Sequence, residues 1–400
     1  MDAELAARVA EAKAAALAVL RQNARGPFHG LPRTAGWGYP EPYTRDIMLS
    51  ALGFLASGDA ELIDALRRTL LALAAIQTPL GHIPSLASDP YDVGASDTTP
   101  LFLLALALYR RVVGPPDFLE EAARAARQWM TYQSPGDDMM VSQLPTSDWR
   151  DEQWVLGFGL FVNTVVYAYL RLFRDDHNAA RLLALMRHFV VKPGSSQQHV
   201  HAGLVVPHKP YYALWAYKIY SSERFDLLGN SLAVLFGIAP PNRAKQLIRW
   251  VEDECDALRA RGELAAALPP NLFPYIQPAD PDWLERYAQL NRPGEYHNGG
   301  IWPFIAGLYI AAAVAAGYPL LAQRKLAALT DLVRLARDPG LEWGFNEWIR
   351  AQDGTARGND WQTWSAALYL YAAACVEREE ALFFTDLLAA PLHHLDDEAA

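Results

Sequence analysis

The stretch DAELIDALRRTLLALAAIQ, residues 59–77, carries the pattern that decides the fold class. Its apolar residues recur at steps of three and four positions, which places them on one face of an α-helix. They are Leu62, Leu66, Leu70, Leu73 and Ile76. Asp59 and Glu61 precede this face, where the helix dipole favours negative charge. The stretch therefore predicts an amphipathic helix that packs one side against a core.

The same helical period recurs about a dozen times along the chain. The predicted helices span residues 4–24, 46–56, 59–77, 98–113, 117–133, 158–174, 177–190, 210–220, 227–236, 241–260, 302–316, 322–337 and 362–377. Residues 199–208 are the best candidate for the alternation of a half-buried strand, and they predict at most a small hairpin. We therefore predict an all-α protein.

Long loops rich in proline and glycine separate these helices. They span residues 26–42, 78–94, 134–146, 193–210, 269–300 and 340–360. Because no exact repeat or low-complexity linker divides the chain, residues 1–400 are expected to form a single domain. A dozen helices fit a closed ring of paired helices, the (α/α)6 toroid or six-hairpin barrel. In such a toroid the long loops gather at one mouth and form the active site.

Composition and charge restrict the class of partner. The 400 residues are 52% hydrophobic and 20% charged, as in a soluble protein with a large core. The net charge of -10 disfavours binding to nucleic acid or to an anionic membrane. The longest apolar runs, residues 101–109 and 301–317, are too short or too interrupted to span a bilayer. The high apolar content leaves a homo-oligomer possible.

Two observations predict a cytoplasmic location. Cys255 and Cys375 both lie in apolar helical stretches, which indicates free buried thiols rather than a disulfide framework. Residues 1–25 are rich in alanine with scattered charges, and they lack the basic cap and continuous apolar run of a signal peptide.

Most of the twelve tryptophans lie beside polar residues in predicted loops. Aromatic faces next to charged groups are typical of sugar sites, because the ring packs on C–H groups while the charges bind hydroxyls. The alternative interpretation is that these aromatic side chains fill the wide centre of a toroid.

Two segments combine tryptophan with carboxylates. Residues 147–154 hold three carboxylates around Trp149 and Trp154, and residues 342–348 place Glu347 among aromatic residues that would desolvate it. Glycoside hydrolysis needs one protonated and one ionised carboxyl group. The alternatives are acids that favour a helix start in the first segment and a surface loop acid in the second.

Other chemistries have weaker signals. His199, His201 and His208 have no carboxylate or cysteine spaced with them as metal ligands, so no metal is predicted. Gly157 and Gly159 do not complete a dinucleotide fingerprint, and no cofactor is expected.

Five blocks in order along the chain carry a resemblance. They are Tyr43-Thr44-Arg45-Asp46, Trp149-Arg150-Asp151, residues 224–230, residues 296–303, and Asn346-Glu347-Trp348 followed by Trp361-Gln362-Thr363-Trp364. Together these blocks resemble the alkaline/neutral invertases and related amylo-1,6-glucosidase-like enzymes. That superfamily is similar in fold to the toroid predicted above. It hydrolyses α-glucosidic bonds with inversion of the anomeric centre.

The resemblance implies Asp151 as general acid, with Asp148 in reserve, and Glu347 as general base. It implies a small carbohydrate substrate, such as sucrose or a short α-gluco-oligosaccharide. The residues expected to bind it are Tyr43, Arg45, Asp46, Asp97, Asp148, Trp149, His297, Asn298, Trp302, Trp348, Gln362 and Trp364. Inversion requires the two carboxyl groups to lie roughly 6.5–9.5 Å apart.

The sequence departs from the invertases around this site. Tyr43 stands where tryptophan is common, and Phe161 stands where a glutamate is common. The resemblance therefore implies hydrolytic chemistry more directly than it implies sucrose. We expect neighbouring tryptophans to keep Asp151 protonated, and Arg45 or Arg350 to keep the general base ionised.

Two other functions fit the predicted fold. A sugar isomerase or epimerase would use His82, His201 and His297 for proton transfer. A non-catalytic sugar-binding module would keep its function after Asp151→Asn and Glu347→Gln.

Overall fold

A computed structural model describes residues 1–134, 139–187, 209–217 and 220–392. The helices in these ranges are α1 Ala3–Asn23, α2 Thr44–Ser57, α3 Ala60–Ala75, α4 Thr98–Val112, α5 Glu120–Thr131, α6 Leu160–Leu172, α7 Asp176–Arg187, α8 Leu227–Leu235, α9 Pro241–Ala260, α10 Tyr287–Leu290, α11 Pro303–Ala315, α12 Pro319–Leu332, α13 Thr363–Arg378 and α14 Thr385–Ala389. The strands are β1 Ser142–Gln143, β2 Gly157–Gly159, β3 Ala213–Tyr217, β4 Tyr220–Asp226, β5 Leu272–Phe273, β6 Trp348–Ile349 and β7 Ala356–Arg357.

Six helices contact one another in a closed order, and we call them the ring helices. Helix α2 contacts α4, α4 contacts α6, α6 contacts α8, α8 contacts α11, α11 contacts α13, and α13 contacts α2. The ring helices are buried on nearly every side; in α11, for example, residues 303–314 are all buried. Their apolar sequences therefore form the core.

Amphipathic helices cover the ring. Helix α3 packs on α2, α5 on α4, α7 on α6, α12 on α11 and α1 on α13. In α3 the buried residues lie on the face that the leucine spacing predicted. Small residues let the ring helices approach closely: a side chain on Gly53 of α2 would overlap the backbone of Ala367 in α13.

The predicted helices agree with the structure except at residues 210–220, where the helix prediction is wrong. Strands β3 and β4 pair there as an antiparallel hairpin, in a five-stranded sheet of order β1-β2-β3-β4-β5. The apolar run of β3 fits a helix period equally well, so tertiary pairing decides its structure. The predicted strand at residues 199–208 lies outside the described residues. The helix-rich class is confirmed, and the small sheet is an addition to it.

Both cysteines, Cys255 and Cys375, are free and buried, as predicted. Among the described residues, no helix combines the length and the apolar character needed to cross a membrane.

Candidate active site

The N-terminal ends of the ring helices carry many of the expected site residues. Tyr43 is the N-cap of α2, Asp97 of α4, Trp302 of α11 and Gln362 of α13. The segment 148–154 precedes β2 and α6. The partial positive charge of a helix N-terminus stabilises nearby carboxylates. The fold thus collects the acidic side chains at one end of the ring, which we call the mouth.

Asp151 is accessible at this mouth. Its side chain is 59% exposed, and its Oδ1 lies 3.9 Å from Nε2 of His297. The surrounding walls still bury it enough to raise the pKa of Asp151, while the positive charge of Arg45 opposes that rise. Asp151 is therefore a carboxyl group that keeps its proton to a higher pH than an ordinary aspartate and can reach a ligand.

Asp148, the reserve candidate, is enclosed. Its residue is 1% exposed, and its carboxylate accepts hydrogen bonds from Gln143 Nε2 at 2.9 Å and from the N–H of Arg150 at 2.8 Å. Burial, together with the nearby charge of Asp97, raises the pKa of Asp148 to about 6. These contacts give Asp148 a role in holding the turn before Asp151.

Glu347 is held from a neighbouring loop. Its residue is 8% exposed, and Oε2 accepts a hydrogen bond from the N–H of Asn359 at 3.0 Å. The pKa of Glu347 is raised on balance, because burial and the charge of Asp151 outweigh the hydrogen bonds from Asn359 and Gln362, which lower it. The buried carboxylate is thus stabilised by amide donors.

The arginines expected to keep Glu347 ionised have other partners. Arg45 pairs with Asp97, and Arg350 pairs with Asp353. No ion pair joins Glu347 to an arginine within the part of the chain that the structure describes. That expectation is corrected, because the loop backbone at Asn359 supplies the donor.

Asp97 supports the site from behind. It is fully buried, and its Oδ2 lies 2.5 Å from Nε of Arg45, whose side chain is 13% exposed. The carboxylate also accepts a hydrogen bond from the backbone N–H of Trp149. Asp97 therefore orients Arg45, and the substrate contact expected for Asp97 stays a prediction.

Asp46 is a third carboxyl group beside Asp151 and Glu347, with which it interacts electrostatically. It is 6% exposed. Burial, together with the charges of Glu347 and Asp151, raises the pKa of Asp46 to about 7 against the lowering effect of Arg45. Since like charges disfavour one another's ionisation, the three carboxyl groups share one electrostatic environment.

The raised pKa of Asp46 predicts a pH-dependent stability. Between its usual value of 3.8 and about 7, the folded state binds more protons than the unfolded state. The free energy of unfolding therefore falls as pH rises through this window. We expect Asp46→Asn to reduce the change in the free energy of unfolding across this pH window by on the order of 2–4 kcal/mol. Urea denaturation at several pH values measures it, and equal slopes for both proteins would contradict it.

Aromatic side chains form the floor of the mouth. The ring of Trp149 lies 5.0 Å from that of His297 and 5.3 Å from that of Trp302, both edge to face. The Trp364 ring stacks on Phe304 at 4.1 Å. The three tryptophans are at most 5% exposed. These three side chains fill the centre of the ring, which is the alternative to a sugar-binding surface.

Of the three histidines that an isomerase would use, His82 and His297 lie within the described residues, and they have separate partners. His297 is buried, and burial, together with the charges of Arg150 and Arg45, lowers its pKa well below the usual range. His82 instead contacts Thr99 Oγ1 at 3.1 Å and the carbonyl of Val93 at 2.7 Å. His201 lies outside the described residues.

The remaining expected residues are structural or peripheral. Asn298 accepts from the N–H of Ile276 at 2.7 Å and donates to the carbonyls of Ile276 and Asn291. Asn298 therefore joins two loops by hydrogen bonds. The sequence predicted it as a substrate contact and did not predict this structural role. Trp348 is half-buried in β6, with its ring 5.7 Å from that of Tyr296.

Sequence reasoning gave no role to the residues that brace the mouth. Arg150 is 1% exposed and donates to Asp226, to Asn271 Oδ1 at 2.8 Å and to the carbonyl of His297 at 3.2 Å. Asp226 also caps α8 by accepting from the N–H of Gly229. Both residues lie in blocks that carried the resemblance. The sequence therefore marked their positions but did not show that they contact each other.

Within the described ranges, no group of three or more His, Cys, Asp or Glu side chains is placed to hold a metal ion. The candidate ligands His199, His201 and His208 lie outside those ranges.

Comparison with known sequences confirms the resemblance. Residues 219–379 match the family described as alkaline and neutral invertase. The probable alkaline/neutral invertase D of Arabidopsis thaliana is 29% identical over 160 residues, covering 38% of this chain and 27% of that protein. Cytosolic invertase 1 of Oryza sativa subsp. japonica is 29% identical over 160 residues, covering 38% and 26%. The chain thus matches about a quarter of the length of these curated relatives.

Comparison with solved structures covers more of the chain. The GH63 mannosylglycerate hydrolase from Thermus thermophilus, in complex with glucose, has a TM-score of 0.61 and 17% identity, covering 90% of this chain and 99% of that one. A bacterial glucoamylase complexed with acarbose has a TM-score of 0.61 and 14% identity, covering 94% and 57%. At these identities the likeness shows that the chain shares the fold of glycosidases.

Proposed function

We propose that this chain is an inverting glycoside hydrolase. Its substrate is a small α-glucoside, such as sucrose or a short α-gluco-oligosaccharide. One observation carries the proposal: an accessible carboxyl group, Asp151, and an enclosed one, Glu347, are electrostatically coupled at the same mouth but have different surroundings. Two carboxyl groups in unlike environments are what acid and base catalysis on a glycosidic bond requires.

Asp151 acts as the general acid in this proposal. Its raised pKa favours the protonated form, and its exposure lets it reach the glycosidic oxygen. Because His297 is neutral, the imidazole beside Asp151 adds no positive charge that would favour ionisation.

Glu347 acts as the general base. The donors at Asn359 and Gln362 oppose the burial that raises the pKa of Glu347, and the loop that carries them holds the carboxylate in place. A water between Glu347 and the sugar would attack the anomeric carbon on the face opposite the bond that breaks. Arg45 and Asp46 bind the hydroxyls of the glucosyl unit in this arrangement.

We also propose that residues 1–400 form one (α/α)6 toroid. The closed order of ring contacts supports the toroid, and the packing of α1 on α13 supports a single domain because it joins the two ends of the chain. We infer a cytoplasmic location, where the two free thiols would stay reduced.

The test is hydrolysis of a panel of glycosides by the purified protein, with the anomer of the released sugar followed by NMR. The panel contains sucrose, trehalose, isomaltose, kojibiose, glucosylglycerate and mannosylglycerate. We expect one α-glucoside to release β-glucose first. Release of α-glucose would contradict inversion, and interconversion of a free sugar without hydrolysis would support an isomerase instead.

Gly358 offers a test of how Glu347 is held. Its φ is +71°, and a side chain there would overlap Cβ and Oε2 of Glu347. We expect Gly358→Ala to displace the carboxylate and lower kcat by about 10²-fold. Gly354→Ala is the matched control, because Gly354 has the same φ of +71° but open surroundings. If both variants lose activity equally, backbone strain alone explains the loss.

A further inference from the structure

The turn at residues 35–39 lies directly on the loop that holds the proposed general base. The N–H of Gly36 donates to the carbonyl of Trp361 at 3.1 Å. Gly38 lies so close to Asn359 that a side chain would overlap its amide. The two glycines therefore let the turn that carries the residue between them pack closely on the loop.

That residue is Trp37, and it is 63% exposed. Its ring lies 4.9 Å from the ring of Trp361, tilted by 36°, so one side of the indole is covered and the other faces solvent. The tryptophans of the mouth floor are almost fully buried. An indole with an accessible face offers a platform for a ligand.

The turn borders the catalytic carboxylates. Tyr39, two residues after Trp37, has its pKa raised by burial and then by the negative charge of Glu347, with a smaller contribution from Asp151. The Tyr39 ring lies edge to face with Tyr43, the N-cap of α2. The turn that carries Trp37 therefore borders both the carboxylates, through Tyr39, and the loop that holds Glu347, through Asn359.

We propose that Trp37 lies at the entrance of the mouth and forms a carbohydrate subsite there, where its indole contacts the sugar ring of the leaving group. A pyranose places its C–H face on an indole, and the accessible face of Trp37 suits that contact. This inference rests on the proposed function and adds Trp37 as the residue that binds the released sugar.

The test compares two substrates in Trp37→Ala. An α-linked disaccharide occupies both the glucosyl site and the entrance, whereas α-glucosyl fluoride occupies the glucosyl site alone. We expect the KM for the disaccharide to rise about tenfold and that for the fluoride to change by less than about twofold. Trp37→Phe should recover most of the loss. Leu320→Ala is the control, because Leu320 is 69% exposed at the start of α12.

The two proposals fail in different ways. If wild-type protein hydrolyses α-glucosyl fluoride and Trp37→Ala affects both substrates equally or neither, the subsite is overturned while the hydrolase stands. If wild-type protein hydrolyses neither substrate, the hydrolase fails, and calorimetric titration with maltotriose then tests the subsite alone. Weaker maltotriose binding by Trp37→Ala would support the subsite, and unchanged binding would overturn it.

Discussion

We expect Asp151→Asn and Glu347→Gln each to lower kcat on an unactivated α-glucoside by about 10²–10⁴-fold. Both amides keep the size of the side chain but cannot transfer a proton. Asp151 can exchange a proton with a bound substrate because it is accessible, and Glu347 can orient a water because it is held by Asn359. Steady-state kinetics with the glycoside found in the panel measure both effects.

The leaving group separates the two roles. Fluoride needs little assistance from an acid, so Asp151→Asn should regain much of its rate on α-glucosyl fluoride, whereas Glu347→Gln should stay slow. Glu152→Gln is the matched control, because this neighbouring carboxylate pairs with Arg286 at the surface. If Asp151→Asn is as slow on the fluoride as on the glycoside, Asp151 is not the general acid.

The covering helices could be predicted from sequence because each has a buried face repeated at the helical period, whereas ring helices such as α11 are apolar on nearly every side. In α3 the spacing of leucines alone marks that face. The segment of β3 has no such pattern, since its five mostly apolar residues fit the period of a helix and that of a strand equally well. Pairing with β4 makes the segment a strand. Local pattern therefore predicts the covering helices and misses the sheet.

The site was predictable where chemistry depends on a side-chain type. Asp151 and Glu347 could be named because each is a carboxylate among tryptophans. The donor to Glu347 could not, because it is the backbone N–H of Asn359, and any residue except proline has that group. For Asp97, the sequence indicates an acidic residue near the site. Only the structure shows that its carboxylate pairs with Arg45.

Arg150→Met should destabilise the folded protein by about 3–5 kcal/mol, because it leaves the buried carboxylate of Asp226 without its partner. Arg150 and Asp226 are each at most 1% exposed, so water cannot replace the lost ion pair. The free energy of unfolding from urea denaturation measures this loss. Arg286→Met is the control, since the exposed pair with Glu152 should contribute only about 0–1 kcal/mol.

A double variant shows whether the cost comes from the unpaired charge. Asp226→Asn removes the charge but keeps an oxygen that can accept from the N–H of Gly229 and cap α8. Arg150→Met combined with Asp226→Asn should therefore be more stable than Arg150→Met alone. If the double variant is no more stable, the contribution of Arg150 comes from its hydrogen bonds to Asn271 and His297 rather than from its ion pair.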